Sequence, residues 1–362
     1  MTEREKRCLD TILLIDCCIA SKEFYATVGE KDYGEKYDPW EEWPPTHLIF
    51  YFKDRFMKNE DPWGCIRFGK NNFKWSKIVH LDKDTILLVD NERSAYTENV
   101  VTRESIREQE IPRTTLRTVE NLKNIHGTIY AVGIGRGVAR RDGKNKWTLI
   151  SKEIQGKMIA DLSVFQAGFS AIDGFEAHKD LYAGGGHSDM WHYDGEHWRA
   201  IDLPILKMRI RAIVCAGDGK VYAVGRDAKI VVGKGDEWKV IEHDLTTHDF
   251  TDAVWYENKL YLCTEYRLYT LENDILKEIV DFGERAPYTF GSLYVNDGLL
   301  MSAGDSSIAI YDGKEWNALY GSIKKQEEAE LLMAQDMKEI VEDMVEGIED
   351  LVDAVKNLPK KK

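Results

Sequence analysis

The chain is short of proline, has no paired cysteines, no long apolar run and no surplus of basic residues. Only eight of its 362 residues are proline, against ten tryptophans and 17 tyrosines. The six cysteines (Cys8, Cys17, Cys18, Cys65, Cys215, Cys263) are scattered without a CxxC pair. Zinc sites and disulfide frameworks both need paired spacings, so buried free thiols in a reducing cytoplasm are the economical reading. No stretch approaches the roughly 18 apolar residues of a membrane span. The apolar segment near the N-terminus is broken by Asp10 and Asp16, and Glu3 and Glu5 spoil a basic start. It therefore reads as a buried strand over Leu9–Ile19 and not as a signal peptide. A net charge of -14 and a pI near 5.2 argue against a general nucleic-acid binder, which needs clustered Lys and Arg. With 43% hydrophobic and 31% charged residues the composition is globular, and wholesale disorder is excluded.

What the sequence does contain is a repeat. Gly127-Thr-Ile-Tyr130-Ala-Val-Gly133 returns as Asp180-Leu-Tyr182-Ala-Gly-Gly185 and Lys220-Val-Tyr222-Ala-Val-Gly225. Weaker copies centre on Tyr25, Leu87, Tyr261 and Leu300. The seven marker positions are separated by 62, 43, 52, 40, 39 and 39 residues. A second marker keeps the same phase: Trp147, Trp198, Trp238 and Trp316 lie 51, 40 and 78 apart. A period near 40 with strand-like content predicts one four-stranded unit per repeat. The fifth copy spells it out, with strands over Arg209–Ala216, Val221–Gly225, Lys229–Gly233 and Trp238–Glu242, and tight turns at Gly217-Asp-Gly219 and Gly235-Asp-Glu. Amphipathic 3.6-residue periodicity is absent from these units. The expected fold is all-β, a seven-bladed β-propeller of four-stranded blades over residues 1–321, with residues 322–362 as a helical tail.

These phrases resemble degenerate bacterial β-propellers, grouped loosely with WD40-like and Asp-box proteins. The likeness covers roughly Cys8 to Gly321 and speaks for fold alone. No Gly-His…Trp-Asp signature is present. Tyr193-Asp194-Gly195 and Tyr311-Asp312-Gly313 put Asp and Gly side by side, unlike the Asp-box spacing. No catalytic residue carries over. The Asp-Gly pair makes a β-turn, and the following Trp wedges between neighbouring sheets.

In such a ring the loops between second and third strands share one rim near the channel. That rim collects Glu92, Arg93, Arg136, His187, Asp189, Arg226, Asp227, Glu265, Arg267 and Asp305. An insertion in the same class of loop, residues 30–46, alternates rings and acids at Tyr33, Tyr37, Trp40, Glu41, Glu42 and Trp43. Exposed aromatics are enriched in binding hot spots, and flanking carboxylates suit a basic partner. The competing reading folds these rings over a blade edge as a plug.

The histidines His178, His187, His192 and His197 invite a metal, but His187 and His192 differ by an odd number and would face opposite sides of a strand. Neither metal nor cofactor is expected. No Ser-His-Asp order, nucleophile elbow or paired-carboxylate motif stands out.

After Gly321 the pattern changes. Met337, Val341, Met344, Ile348, Leu351 and Val355 mark a heptad seam on a long amphipathic helix. Such a helix docks on the propeller, pairs as a homodimer or enters a partner's groove. The sum is a cytoplasmic, non-catalytic propeller that binds a basic protein partner, with neither nucleic acid nor membrane. A sharper version is an immunity-type inhibitor of a bacterial toxin. The rival is a carbohydrate-active hydrolase or lyase with its site in the channel. Carboxylates and an Arg converging on an open channel would favour the enzyme; a plugged channel and an exposed aromatic patch would favour binding.

Overall fold

A computed structural model describes residues 3–32, 43–113, 116–154, 168–283 and 285–324. Seven antiparallel sheets of four consecutive strands follow one another along the chain. Their first strands, Ile12–Ser21, Lys77–His80, Asn121–Ile125, Phe169–Gly174, Ile210–Cys215, Asp252–Tyr256 and Gly291–Asn296, pack side by side in a ring, the last against the first. This is a seven-bladed β-propeller. All seven marker positions read from the sequence fall in the second strands of their blades, and all four marker tryptophans in fourth strands.

The core is divided in the same way. Seven apolar clusters form, each between two consecutive blades. In blade 5, Val221 and Ala223 point into the gap with blade 4, whereas Tyr222 and Val224 point into the gap with blade 6. Both faces of the sheet are covered, so Val221–Gly225 is buried at every position. That is why the repeat reads as short apolar runs and not as strict alternation. The tryptophans reach back toward the preceding blade. Trp198 packs with blade 3 and donates from Nε1 to the Ile150 carbonyl at 2.9 Å. Trp63 does the same in blade 1, against blade 7. The sequence reading missed it, because the insertion in blade 1 moves it out of phase.

Ring closure needs no exchanged strand. Leu14 N donates to the Asp305 carbonyl at 2.9 Å, Lys22 N to Asp297 at 2.8 Å, and Asn296 Nδ2 to the Ile19 carbonyl at 3.0 Å. The segment read as one strand over Leu9–Ile19 is two elements. A helix runs Glu3–Leu9, and the strand begins at Ile12 after Thr11 at φ 57°. Charged, straight-chain helix formers before Leu9 explain the break. Beyond blade 7, Ser322–Lys324 pairs antiparallel with Arg285–Pro287, so the first residues assigned to the tail extend the β structure. The heptad seam from Met337 to Val355 lies outside the described residues.

The N-terminal helix brings Cys8 against Cys65, on the fourth strand of blade 1, and Arg67 Nη2 holds the Arg7 carbonyl at 2.6 Å. A hydrogen bond from the Cys8 side chain, together with the Arg67 and Arg7 cations, pulls the Cys65 thiol well below its ordinary range despite partial burial. Burial pushes Cys17, Cys18, Cys215 and Cys263 up. Limiting iodoacetamide at pH 7 should therefore label Cys65 about tenfold faster than those four, as peptide mapping by mass spectrometry would record. Uniform labelling would contradict this packing.

Candidate functional site

Second-to-third-strand loops and the connections entering each new blade emerge on the same face. They are bonded into one rim. Val119 N donates to Asn91 O (3.0 Å), Ser188 N to Met208 O (2.7 Å), Phe250 N to Gly225 O (3.0 Å) and Phe290 N to Glu265 O (2.6 Å). In each pair a loop of one blade is tied to the segment that enters the next. The rim is thus a rigid platform for exposed side chains.

Glycines at the ends of the second strands let this crossing happen. A Cβ on Gly133 would lie 1.8 Å from the Thr118 carbonyl oxygen, one on Gly185 1.7 Å from that of Gly168, and one on Gly225 2.0 Å from that of Arg209. Past Gly185 and Gly225 the chain makes a short turn with left-handed residues, His187 at φ 59° and Asp227 at φ 55°. Asp227 N is held by Asp249 at 2.9 Å, so its side chain is presented outward.

The rim residues named from sequence divide into two sets. Glu92, His187, Arg226, Asp227, Glu265 and Asp305 are exposed. Arg93 and Arg267 are half-buried and engaged, with Arg117 O at 2.5 Å and Glu278 at 3.0 Å. Arg136 and Asp189 lie beneath the rim, 1% and 6% exposed, paired at 2.7 Å. Trp191 Nε1 donates to the second Asp189 oxygen at 2.8 Å, and the Arg136 guanidinium stacks 5.2 Å from the Trp191 ring. This pair bolts the blade 3 loop to blade 4. Of the insertion, Tyr33, Tyr37, Trp40, Glu41 and Glu42 lie outside the described residues. The flanking strands end at Lys31 and restart at Thr46. Trp43 stands on the rim, half-buried, edge-on to Trp75 at 4.5 Å, and its N–H is held by Asn71 at 2.8 Å.

Three exposed aromatics of this rim were missed: Trp75 (54% exposed), Tyr266 (41%) and Tyr288 (38%). All sit in loops that break the repeat phrase, and that irregularity was the available signal. Tyr266 adjoins Glu265, and Glu265 is close enough to Asp305 to interact with it electrostatically. Blades 6 and 7 thus carry an acidic and aromatic sector, with Trp43 on the neighbouring blade 1 and Trp75 on the segment that enters blade 2.

The histidines do not converge. His192 Nε2 meets Asp180 at 2.9 Å and His197 Nδ1 lies 3.5 Å from Glu153, while His187 belongs to the rim. No group of three His, Cys, Asp or Glu is placed to hold a metal among the described residues.

The channel is blocked part-way. The Tyr294 hydroxyl meets His80 Nδ1 of blade 2 at 2.8 Å, and its ring contacts the apolar clusters of blades 7 and 1, 1 and 2, and 2 and 3. One cavity ends on it from above and another from below. Three buried aspartates clasp adjacent blades. Asp16 accepts from Ile78 N (3.0 Å) and Ser292 Oγ (2.7 Å), Asp173 from Cys215 N (2.9 Å) and Gly174 N (2.9 Å), and Asp252 from Leu293 N (2.8 Å) and Ala253 N (2.8 Å). Burial raises the Asp252 carboxyl to about 6, with Lys123 opposing. Every oxygen of the three is engaged in structure.

No helix among the described residues is long and apolar enough to cross a membrane. No family model matches the chain. Solved structures that resemble it include virginiamycin B lyase from Staphylococcus aureus. A catalytically inactive variant with quinupristin has TM-score 0.58 at 10% identity, over 84% of this chain and 94% of that one. The selenomethionine form has TM-score 0.50 at 9% identity, over 67% and 82%. These likenesses concern the fold alone. Among curated proteins the chain is similar to the immune protein Tsi7 of Pseudomonas aeruginosa, 35% identical over 195 residues that make up 54% of this chain and 62% of that protein.

Proposed function

We propose that this propeller is an immunity-type protein that binds a protein toxin through its loop face and blocks it. The observation that carries the reading is the 35% identity over 195 residues with an immune protein. The geometry supports it. Tyr294 closes the channel, and each oxygen of Asp16, Asp173 and Asp252 accepts a hydrogen bond within or between blades. The exposed chemistry is on the rim instead, where Tyr266 adjoins Glu265, Tyr288 lies on the segment entering blade 7, and Trp75 stands edge-on to the half-buried Trp43. Aromatic anchors beside carboxylates fit a basic surface on the toxin.

The test uses the full chain, tagged, as bait in its native cells. A protein captured in equal amount should be toxic when produced alone and harmless with the chain present. Tyr266→Ala with Glu265→Lys, both at exposed positions, should weaken that complex by about 100-fold without changing the melting temperature, since an aromatic anchor and a charge reversal each contribute roughly 1–2 kcal/mol. Full retention of affinity would remove this sector from the interface. A captured protein that is harmless alone would overturn the immunity reading.

A further inference from the structure

The upper end of the channel gathers cations from several blades. The chain as a whole carries -14. The wall above Tyr294 nevertheless presents Lys77, Arg209 and Arg211, and the mouth adds Lys207 and Arg226. Two carboxylates face them, Glu120 on the wall and Asp249 near Arg211. The remaining acids of this chamber, Asp16 and Asp252, each accept one hydrogen bond per oxygen, Asp16 from blades 2 and 7 and Asp252 from blade 7 and its own strand. Among the described residues, Lys77, Lys207, Arg209 and Arg211 form no ion pair, and Arg226 has only its neighbour Asp227 at 3.9 Å.

The backbone holds this cluster together. Arg226 N donates to the Arg209 carbonyl at 3.0 Å, which ties the blade 5 loop to the start of its own first strand. The pairing of that strand slips between Ile210 and Ala212, so Arg211 is a bulged residue. A bulge re-aims the side chain it carries. Ser170 in blade 4 and Ile15 in blade 1 sit at the same kind of slip, and both line the same chamber as Arg211. Burial, and then the Arg209 cation, lower the proton affinity of the Arg211 guanidinium, with Asp249 and Glu120 opposing. Four cations, Lys77, Lys123, Arg209 and Arg211, line the chamber against three carboxylates, Asp16, Glu120 and Asp252, which leaves an excess of positive charge for a small anion.

We infer that the upper channel is a binding site for a small tetrahedral oxyanion of the phosphate class, held by Arg209 and Arg211 of blade 5 and Lys77 of blade 2. The size fits. The chamber offers about 160 Å³, room for a phosphate and several waters. Guanidinium forks match such an oxyanion by paired hydrogen bonds, with the lysine as a point charge opposite. The site does not depend on which protein docks on the rim.

Calorimetric titration of the full chain with inorganic phosphate at pH 7.5, at ionic strength fixed with sodium chloride, tests this. One saturable site is expected, with Kd on the order of 1 mM or tighter, and Arg209→Gln or Arg211→Gln should weaken it about tenfold or more. Lys277→Gln, on an exposed outer strand, should bind as the parent does. Lys77→Gln, from another blade, supplies the same readout if an arginine variant fails to fold. Glutarate in place of phosphate should bind more weakly, and equal binding would overturn the assignment to a tetrahedral oxyanion. Absence of saturable binding to the folded parent, or phosphate binding unchanged in the folded variants, would overturn the site itself.

Discussion

Arg136→Ala is expected to cost about 3–5 kcal/mol of folding stability, the range found when one partner of a buried ion pair is removed. The side chain is 1% exposed, and its Nε sits 2.7 Å from Asp189. Without it the Asp189 carboxylate stays buried with the Trp191 N–H as its remaining side-chain donor. Asp189→Ala should be about as harmful, because it removes the carboxylate that the buried guanidinium is paired with. The double variant should lose less than the sum of the two, since neither charge is then left alone. Urea denaturation of the four proteins measures this cycle. Two small, additive losses of about 1 kcal/mol would mean that the blade 3 loop is not bolted to blade 4 by this pair.

Gly185→Ala is the second large effect. The reason is contact and not backbone conformation: the new methyl would fall 1.7 Å from the carbonyl oxygen of Gly168, where the chain crosses into blade 4. Backbone stands on both sides, so relief requires moving the crossing itself. A loss of about 3 kcal/mol or more is expected, in the range of severe overpacking. Gly64→Ala is the matched control. Its Cβ would meet only side-chain atoms of Phe52 and Phe50 at 3.6 Å and beyond, so stability should change by about 0.5 kcal/mol or less. Comparable midpoints for the two variants in urea would show that the crossing is looser than described.

The repeat made the fold legible because its chemistry is local to each blade. Tyr130, Tyr182 and Tyr222 recur where a second strand must fill the gap between two sheets, and a glycine follows where the next crossing passes. The strands read for the fifth copy match Ile210–Cys215, Val221–Gly225, Ile230–Lys234 and Glu237–Ile241 to within two residues at each end. The candidate site was less legible. Arg136 and Asp189 look like loop charges in the sequence, and only the approach of blades 3 and 4 buries them. Tyr294 plugs a channel whose opposite wall, at His80, is 214 residues away in the chain. The cations of the upper channel come from blades 2 and 5, and no local pattern joins Lys77 to Arg209. Trp63 kept its place in the blade but lost its spacing to the insertion. Local repetition reports the scaffold, whereas the irregular residues that several blades bring together make up the proposed sites.

The most direct measurement is the affinity between the full chain and the toxin captured with it, compared with the rim variant carrying Tyr266→Ala and Glu265→Lys. The proposed interface predicts a stoichiometric complex that protects cells from the toxin, about 100-fold weaker for the variant, with the loss of protection following the loss of affinity. A chain that stays folded, forms no complex with any toxic protein of its native cells and turns over a sugar substrate instead would contradict it.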